Sequence, residues 1–238
     1  MASIPDLTKA LADSLGIGHA PVANAARALR EAGLLPTGAM GRYGAAPMTA
    51  QHAATMLIGF LGAPRVCDAP EAVRVFGKLP AISHVLQRAD AGRIVRTGRQ
   101  IEDVPIGRGQ GPWHRVLTQS LHGALAGVIG TVALGRSVCM PTELGFGRDL
   151  AAPVSWIRFA TVTPGQERCE AEIFYAPCDG LDPCERFRST DLRITASTHG
   201  AILARLGEVL WEGAKTSVLA DLKDAEAGVA PDEERAHA

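Results

Sequence analysis

The sequence predicts an α+β protein, helical in its first half and built around a small antiparallel sheet in its second. Two patterns and their order lead to this. Apolar residues recur at helical spacing in Leu7, Leu11 and Leu15, and again along Ala53, Met56, Leu57 and Phe60. Further on the period falls to two: Cys169, Ala171, Ile173 and Tyr175 alternate with Glu170 and Glu172, as in a strand with one buried face. A long helical pattern follows, with Ile202, Leu206, Leu210 and Ala214 as its spine, suited to cover that sheet.

The first helix is expected from Asp6 or Thr8 to Leu15, and "GIGH" breaks it. The second runs from about Pro21, a proline fit for a first helical turn, to Ala32, burying Val22, Ala25, Ala26 and Leu29. Gly33 is placed to end it in the left-handed conformation. A glycine-rich loop spans Pro36 to Pro47, and Thr49 caps a third helix, "AQHAATMLIGFLG". Short helices are expected near Pro70–Phe76 and Ala81–Ala89, then an arginine- and glycine-rich connector. A helix from Trp113 to about Leu134 has a kink or end near Gly127 to Gly130. Strands at Val154–Thr163, Cys169–Ala176 and Leu192–Ala196 precede the last helix, His199 to Leu222. These elements divide the chain into a helical unit over 1–62, a helical connector over 63–112, an α+β unit over 113–222 and a charged tail over 223–238.

Composition narrows the function classes. Of 238 residues 47% are hydrophobic and 21% charged, which excludes a disordered or fibrous chain. Residues 1–100 hold eleven basic against six acidic side chains, and residues 151–238 nine against fifteen. A basic front and an acidic back suit a polyanion at one end. Five scattered cysteines do not make a disulfide framework. The apolar run "LHGALAGVIGTVAL" is too short and glycine-rich to span a membrane, and no secretory signal opens the chain, so a cytoplasmic location is expected.

The stretch "TKALADSLGIGHAPVANAARALREAGLLPTGAMGRYG" carries the functional expectation. A helix-turn-helix needs a small residue where its helices cross, a turn residue tolerant of positive φ, and a branched apolar residue early in the second helix. Ala12, Gly16 and Val22 hold those positions, with Leu11, Leu15, Ile17 and Ala25 filling the apolar ones. From Thr8 to Ala28 the spacing resembles the helix-turn-helix of phage and bacterial DNA-binding proteins. The following "ALREAGLLPTG" resembles the approach to the wing of winged-helix regulators. The run from Arg27 to Gly62 is more loosely similar to small prophage-borne proteins.

The resemblance implies that His19, Ala20, Ala23, Asn24 and Arg27 face the major groove. Asn pairs bidentately with adenine, Arg with guanine, and Ala meets a thymine methyl. Arg30, Arg42 and Lys9 would lie near phosphates, and Arg42 and Tyr43 would sit in the wing between Gly38 and Ala46. It further implies double-stranded DNA as partner and a homo-oligomer, since paired heads supply affinity and half-site spacing. The usual unit has a leading helix, whereas only a few residues precede this pair. The helix from Thr49, or another chain, must close the core. The arginines at 88, 93, 96, 99 and 108 are either phosphate contacts or a solvated connector.

No other segment carries equal chemistry. "GRGQG" (Gly107 to Gly111) lacks the order and the Lys-Ser/Thr pair of a phosphate loop. Cys169, Cys178, Cys184 and His199 lack the short knuckle spacing of a zinc site. His114 and His122 have no nucleophile or orienting acid in a recognisable set. No metal, cofactor or catalytic residue is therefore assigned. The expected function is sequence-specific DNA binding by a prophage-associated regulator or DNA-packaging recognition subunit, with a protein partner possible through the C-terminal unit. The alternatives are a non-enzymatic scaffold protein whose helix pair docks on another chain, and a ligand sensor or enzyme using Trp156, Arg158 and Tyr175.

Overall fold

The computed structural model describes residues 2–37, 46–90, 93–99, 120–134, 141–148, 153–161, 169–175 and 193–228. Helix α1 (Ile4–Leu15) starts earlier than the apolar periodicity suggests, because Ser3 and Asp6 form a reciprocal capping box over its first turn. Gly16 ends it at φ 65°, and the Ile17 amide donates to the Ala12 carbonyl at 3.1 Å, closing the turn left-handed. Helix α2 (His19–Glu31) begins two residues ahead of Pro21. Proline is tolerated there because the first-turn amides have no intrahelical acceptor. Gly33, at φ 72°, ends α2 as expected, with the Leu34 amide bonded to the Leu29 carbonyl.

Helix α3 (Ala50–Leu61) is capped by Thr49, whose hydroxyl accepts from the His52 amide while His52 Nδ1 accepts from the Thr49 amide. Rather than one buried stripe, every residue from Ala53 to Gly59 is buried, so α3 is the central helix, and Phe60 is only half-buried. At Gly59 an added Cβ would lie 2.9 Å from Leu29 Cδ1 and 3.2 Å from Val73 Cγ2. Its bare backbone lets α2 and α4 (Ala69–Phe76) close on α3 from two sides.

The stretch expected as a helix over Ala81–Ala89 is a strand instead, β1 (Ala81–Asp90). Ile82, Val85 and Leu86 mimic helical spacing, but the backbone pairs on both edges, with β2 (Arg93–Arg99) and β5 (Cys169–Tyr175). Two ladders of hydrogen bonds outweigh an ambiguous local pattern. The connector thus contributes an antiparallel hairpin, which places Arg88 on β1 and Arg93, Arg96 and Arg99 on β2. Helix α5 (Leu121–Ala133) starts at a Ser120 cap, where Ser120 is extended and bridges to Pro80; the expected stretch over 113–119 lies outside the described residues. It runs unbroken past Gly127 and Gly130.

The three expected strands are present as β4 (Pro153–Thr161), β5 and β6 (Arg193–His199), with β3 (Pro141–Arg148) between β4 and β6. Together with β1 and β2 they form a six-stranded antiparallel sheet ordered β2-β1-β5-β4-β3-β6. Helix α6 (Ala201–Gly228) follows directly from β6.

Leu144, Phe146, Ile157 and Tyr175 join α1 to α6 in one continuous core, where Phe76 of α4 meets Phe146 edge-to-face at 5.4 Å. Close packing of α6 on α5 occurs at Gly207, where an added Cβ would lie 2.5 Å from Val132 Cβ and 2.8 Å from the Ile129 carbonyl oxygen. Within 201–215, the stretch of α6 whose burial is described, Ile202, Leu203, Leu206, Gly207 and Leu210 are buried; Ala214, expected in the spine, is exposed.

Candidate nucleic-acid interface

Three residues, Gly16, Ile17 and Gly18, join α1 to α2. Ala12 and Val22 are buried at 2% and 1% exposure, consistent with the close helix contact expected of them. Ile17 departs from expectation at 38% exposure, because the left-handed turn swings it out of the helix pair. The buried face of α2 is Val22, Ala25, Ala26 and Leu29. Helix α3 meets α2 through Leu29 and Gly59, so the helix from Thr49 closes this core without a leading helix.

The opposite face of α2 carries the predicted readers. His19, Ala20, Asn24, Arg27 and Arg30 are exposed, and Ala23 is half-buried. At 100° per residue they occupy one continuous sector of the helix. Its near flank borders a shallow groove against the first turns of α1, lined by Ile4, Pro5 and Thr8 on one side and His19, Ala23, Ala26, Arg27 and Arg30 on the other. The α1 side of this groove was missed in the sequence, although the Ser3-x-x-Asp6 box that fixes where α1 begins was legible. Arg42 and Tyr43 lie outside the described residues.

Electrostatics on this face are finely balanced. Arg27 Nε donates to Glu31 Oε1 at 3.0 Å, with both side chains about two-thirds exposed. Such a pair contributes about 0–1 kcal/mol, so Arg27 is only weakly held by Glu31. Over α1 and α2, Lys9, Arg27 and Arg30 are matched by Asp6, Asp13 and Glu31. Asp6 is held below the usual carboxylate range, first by its hydrogen bonds from the Ser3 side chain and backbone, and it stays charged. The face therefore offers directed donors rather than a strong positive field.

The sheet separates two residues of the alternative pocket. Trp156 pairs with Phe174 and Gly145, whereas Tyr175 pairs with Ser155, so register puts the tryptophan and the tyrosine on opposite faces. Tyr175 is fully buried within the core, and burial pushes its phenol far up. Trp156 lies across Gly145, where any side chain would overlap the indole.

Among the described residues no cluster of three or more His, Cys, Asp or Glu is placed to hold a metal, and no helix is long and apolar enough to cross a membrane. Comparisons with protein-family models, curated proteins and solved structures return no match.

Proposed function

We propose that the α1–turn–α2 unit is a DNA-reading head, with α2 as its recognition helix. The observation that carries this reading is the pairing of buried Ala12 and Val22, one on each side of a left-handed Gly16 turn, with an exposed Asn24–Arg27 face. In this arrangement Asn24 and Arg27 address base edges, Ala20 and Ala23 meet thymine methyl groups, and His19 stands at the helix start. Lys9, Arg30 and the Arg42–Tyr43 loop position the head on phosphates. The protein acts in the cytoplasm, in a prophage-derived regulatory or DNA-packaging role.

The local charge balance gives this reading a quantitative signature. About three phosphate contacts per head correspond to a log–log salt slope of roughly −3. Electrophoretic binding to random duplex DNA at two salt concentrations measures it. Binding that weakens several-fold between low and moderate salt supports the head. No retardation at low salt overturns it.

That same balance, together with the apolar residues Ile4, Pro5 and Ala26 that help line the groove, favours a second reading: a docking face for another protein chain. Absence of DNA binding, with the fold intact, is the result that would promote it.

A further inference from the structure

Helix α6 continues well past the core that anchors it. Leu210 is buried, whereas Trp211 is 37% exposed and Glu212, Ala214 and Lys215 are exposed. Residues 211–228 amount to roughly 27 Å of helix at 1.5 Å per residue. A helix of this length gains little stability from propensity alone and is ordinarily held by packing of an apolar face.

The sequence supplies such a face. Trp211, Ala214, Val218, Leu222 and Ala225 follow one another at intervals of three or four residues. This stripe is no continuation of the core-facing one. Counting 100° per residue, it is centred roughly 100° around the helix from Ile202, Leu203, Leu206 and Leu210. Its two members of described burial, Trp211 and Ala214, are exposed, so the described core does not cover the start of the stripe.

The order of sizes along the stripe points to what that partner is. Read from either end toward Val218, a large residue on one strand of the pair matches a small one on the other: Trp211 falls level with Ala225, Ala214 with Leu222, and Val218 with itself. Such self-matching is what a two-fold, isologous interface demands, where residue i meets j and j meets i. In a parallel pair the two Trp211 side chains would instead collide, while each Ala214 and each Ala225 would face only its own copy. We propose that 211–228 of α6 forms an antiparallel helix pair with a second copy of this chain, with Val218 on the two-fold axis. The pairing stands on the helix alone and does not depend on the DNA reading. If both hold, the dimer carries two heads and doubles the salt slope.

The test uses the full chain with all five of its cysteines, at 67, 139, 169, 178 and 184, replaced by serine. Sedimentation of this protein is expected to give a dimer, and Val218→Asp a monomer with unchanged helix content. Single cysteines then define the register under mild oxidation. Val218→Cys is expected to cross-link to itself, since facing Cα atoms at the axis come within disulfide reach. Trp211→Cys is not, because its two copies would be roughly 21 Å apart along the axis. A monomeric parent chain would overturn the proposal, and so would cross-linking at 211 as readily as at 218, which marks a parallel pair. Loss of DNA binding by the dimer would leave this inference standing while removing the head.

Discussion

His122 and His52 show how a single proton reports on the junction of α3 and α5. His122 Nε2 lies 3.0 Å from Thr55 Oγ1 and 3.2 Å from the Gln51 carbonyl oxygen, bridging the two helices. Burial holds its pKa below the ordinary histidine value of 6.5, against the raising effect of the Gln51 carbonyl. His52 is lowered as well, by burial first and by the nearby His122 second, and its Nδ1 must stay unprotonated to accept from the Thr49 amide. Both groups are therefore neutral in the folded chain and protonate more readily once unfolded. The stability they contribute is full above about pH 6.5 and is lost as pH falls through their depressed folded values. Thermal melting is expected to drop between pH 7.5 and pH 5, and the His52→Gln, His122→Gln double variant to flatten that dependence. An unchanged slope in the double variant would remove these two residues from the account.

At the scale of elements, glycine decides how closely helices approach. Gly207 sets α6 against the α5 backbone, with the Ile129 carbonyl and Val132 Cβ inside the distance any side chain would need. Alanine there gains up to about 1 kcal/mol of helix propensity but must push apart two packed helices. We expect Gly207→Ala to be destabilising by about 1–3 kcal/mol, measured as a lower midpoint in urea unfolding.

These elements were unequally legible in the sequence. Helices α2 and α3 could be read closely because their signals are local: Gly33 and Thr49 stand where the chain must turn or be capped. Strand β4 could be read from its β-branched and aromatic residues, and β5 from the alternation of Cys169, Ala171, Ile173 and Tyr175 with Glu170 and Glu172. Strand β3 was hidden, since Pro141, Gly145 and Gly147 lower local strand propensity, and Gly145 is there to admit the Trp156 ring from the next strand. Strand β1 was misread because its apolar spacing suits either structure, and only its distant partners β2 and β5 decide between them. The candidate site followed the same rule. The outward residues of α2 were legible from helical period, whereas the groove beside α1 depends on tertiary placement.

For the whole molecule, the α1–α2 helix pair is part of the body rather than an appendage. The core runs without interruption from Ala2 through α3, α5 and the sheet to Leu210 of α6. A perturbation of the sheet or of α6 is therefore felt at α1 and α2 through packed side chains. The molecule's charge is nearly balanced, at −1 in total with a basic front and an acidic back, so the proposed DNA reading requires directed hydrogen bonds more than a general attraction to phosphate.

The most direct measurement is enrichment of a random duplex library by the native chain and by the Asn24→Ala, Arg27→Ala double variant, with circular dichroism to confirm equal folding. The native chain is expected to enrich a defined motif. The double variant is expected to lose that preference, with each lost bidentate contact costing about 1–3 kcal/mol of discrimination. The same motif recovered by both proteins, or none recovered by the native chain, would contradict the assignment of α2 as a recognition helix.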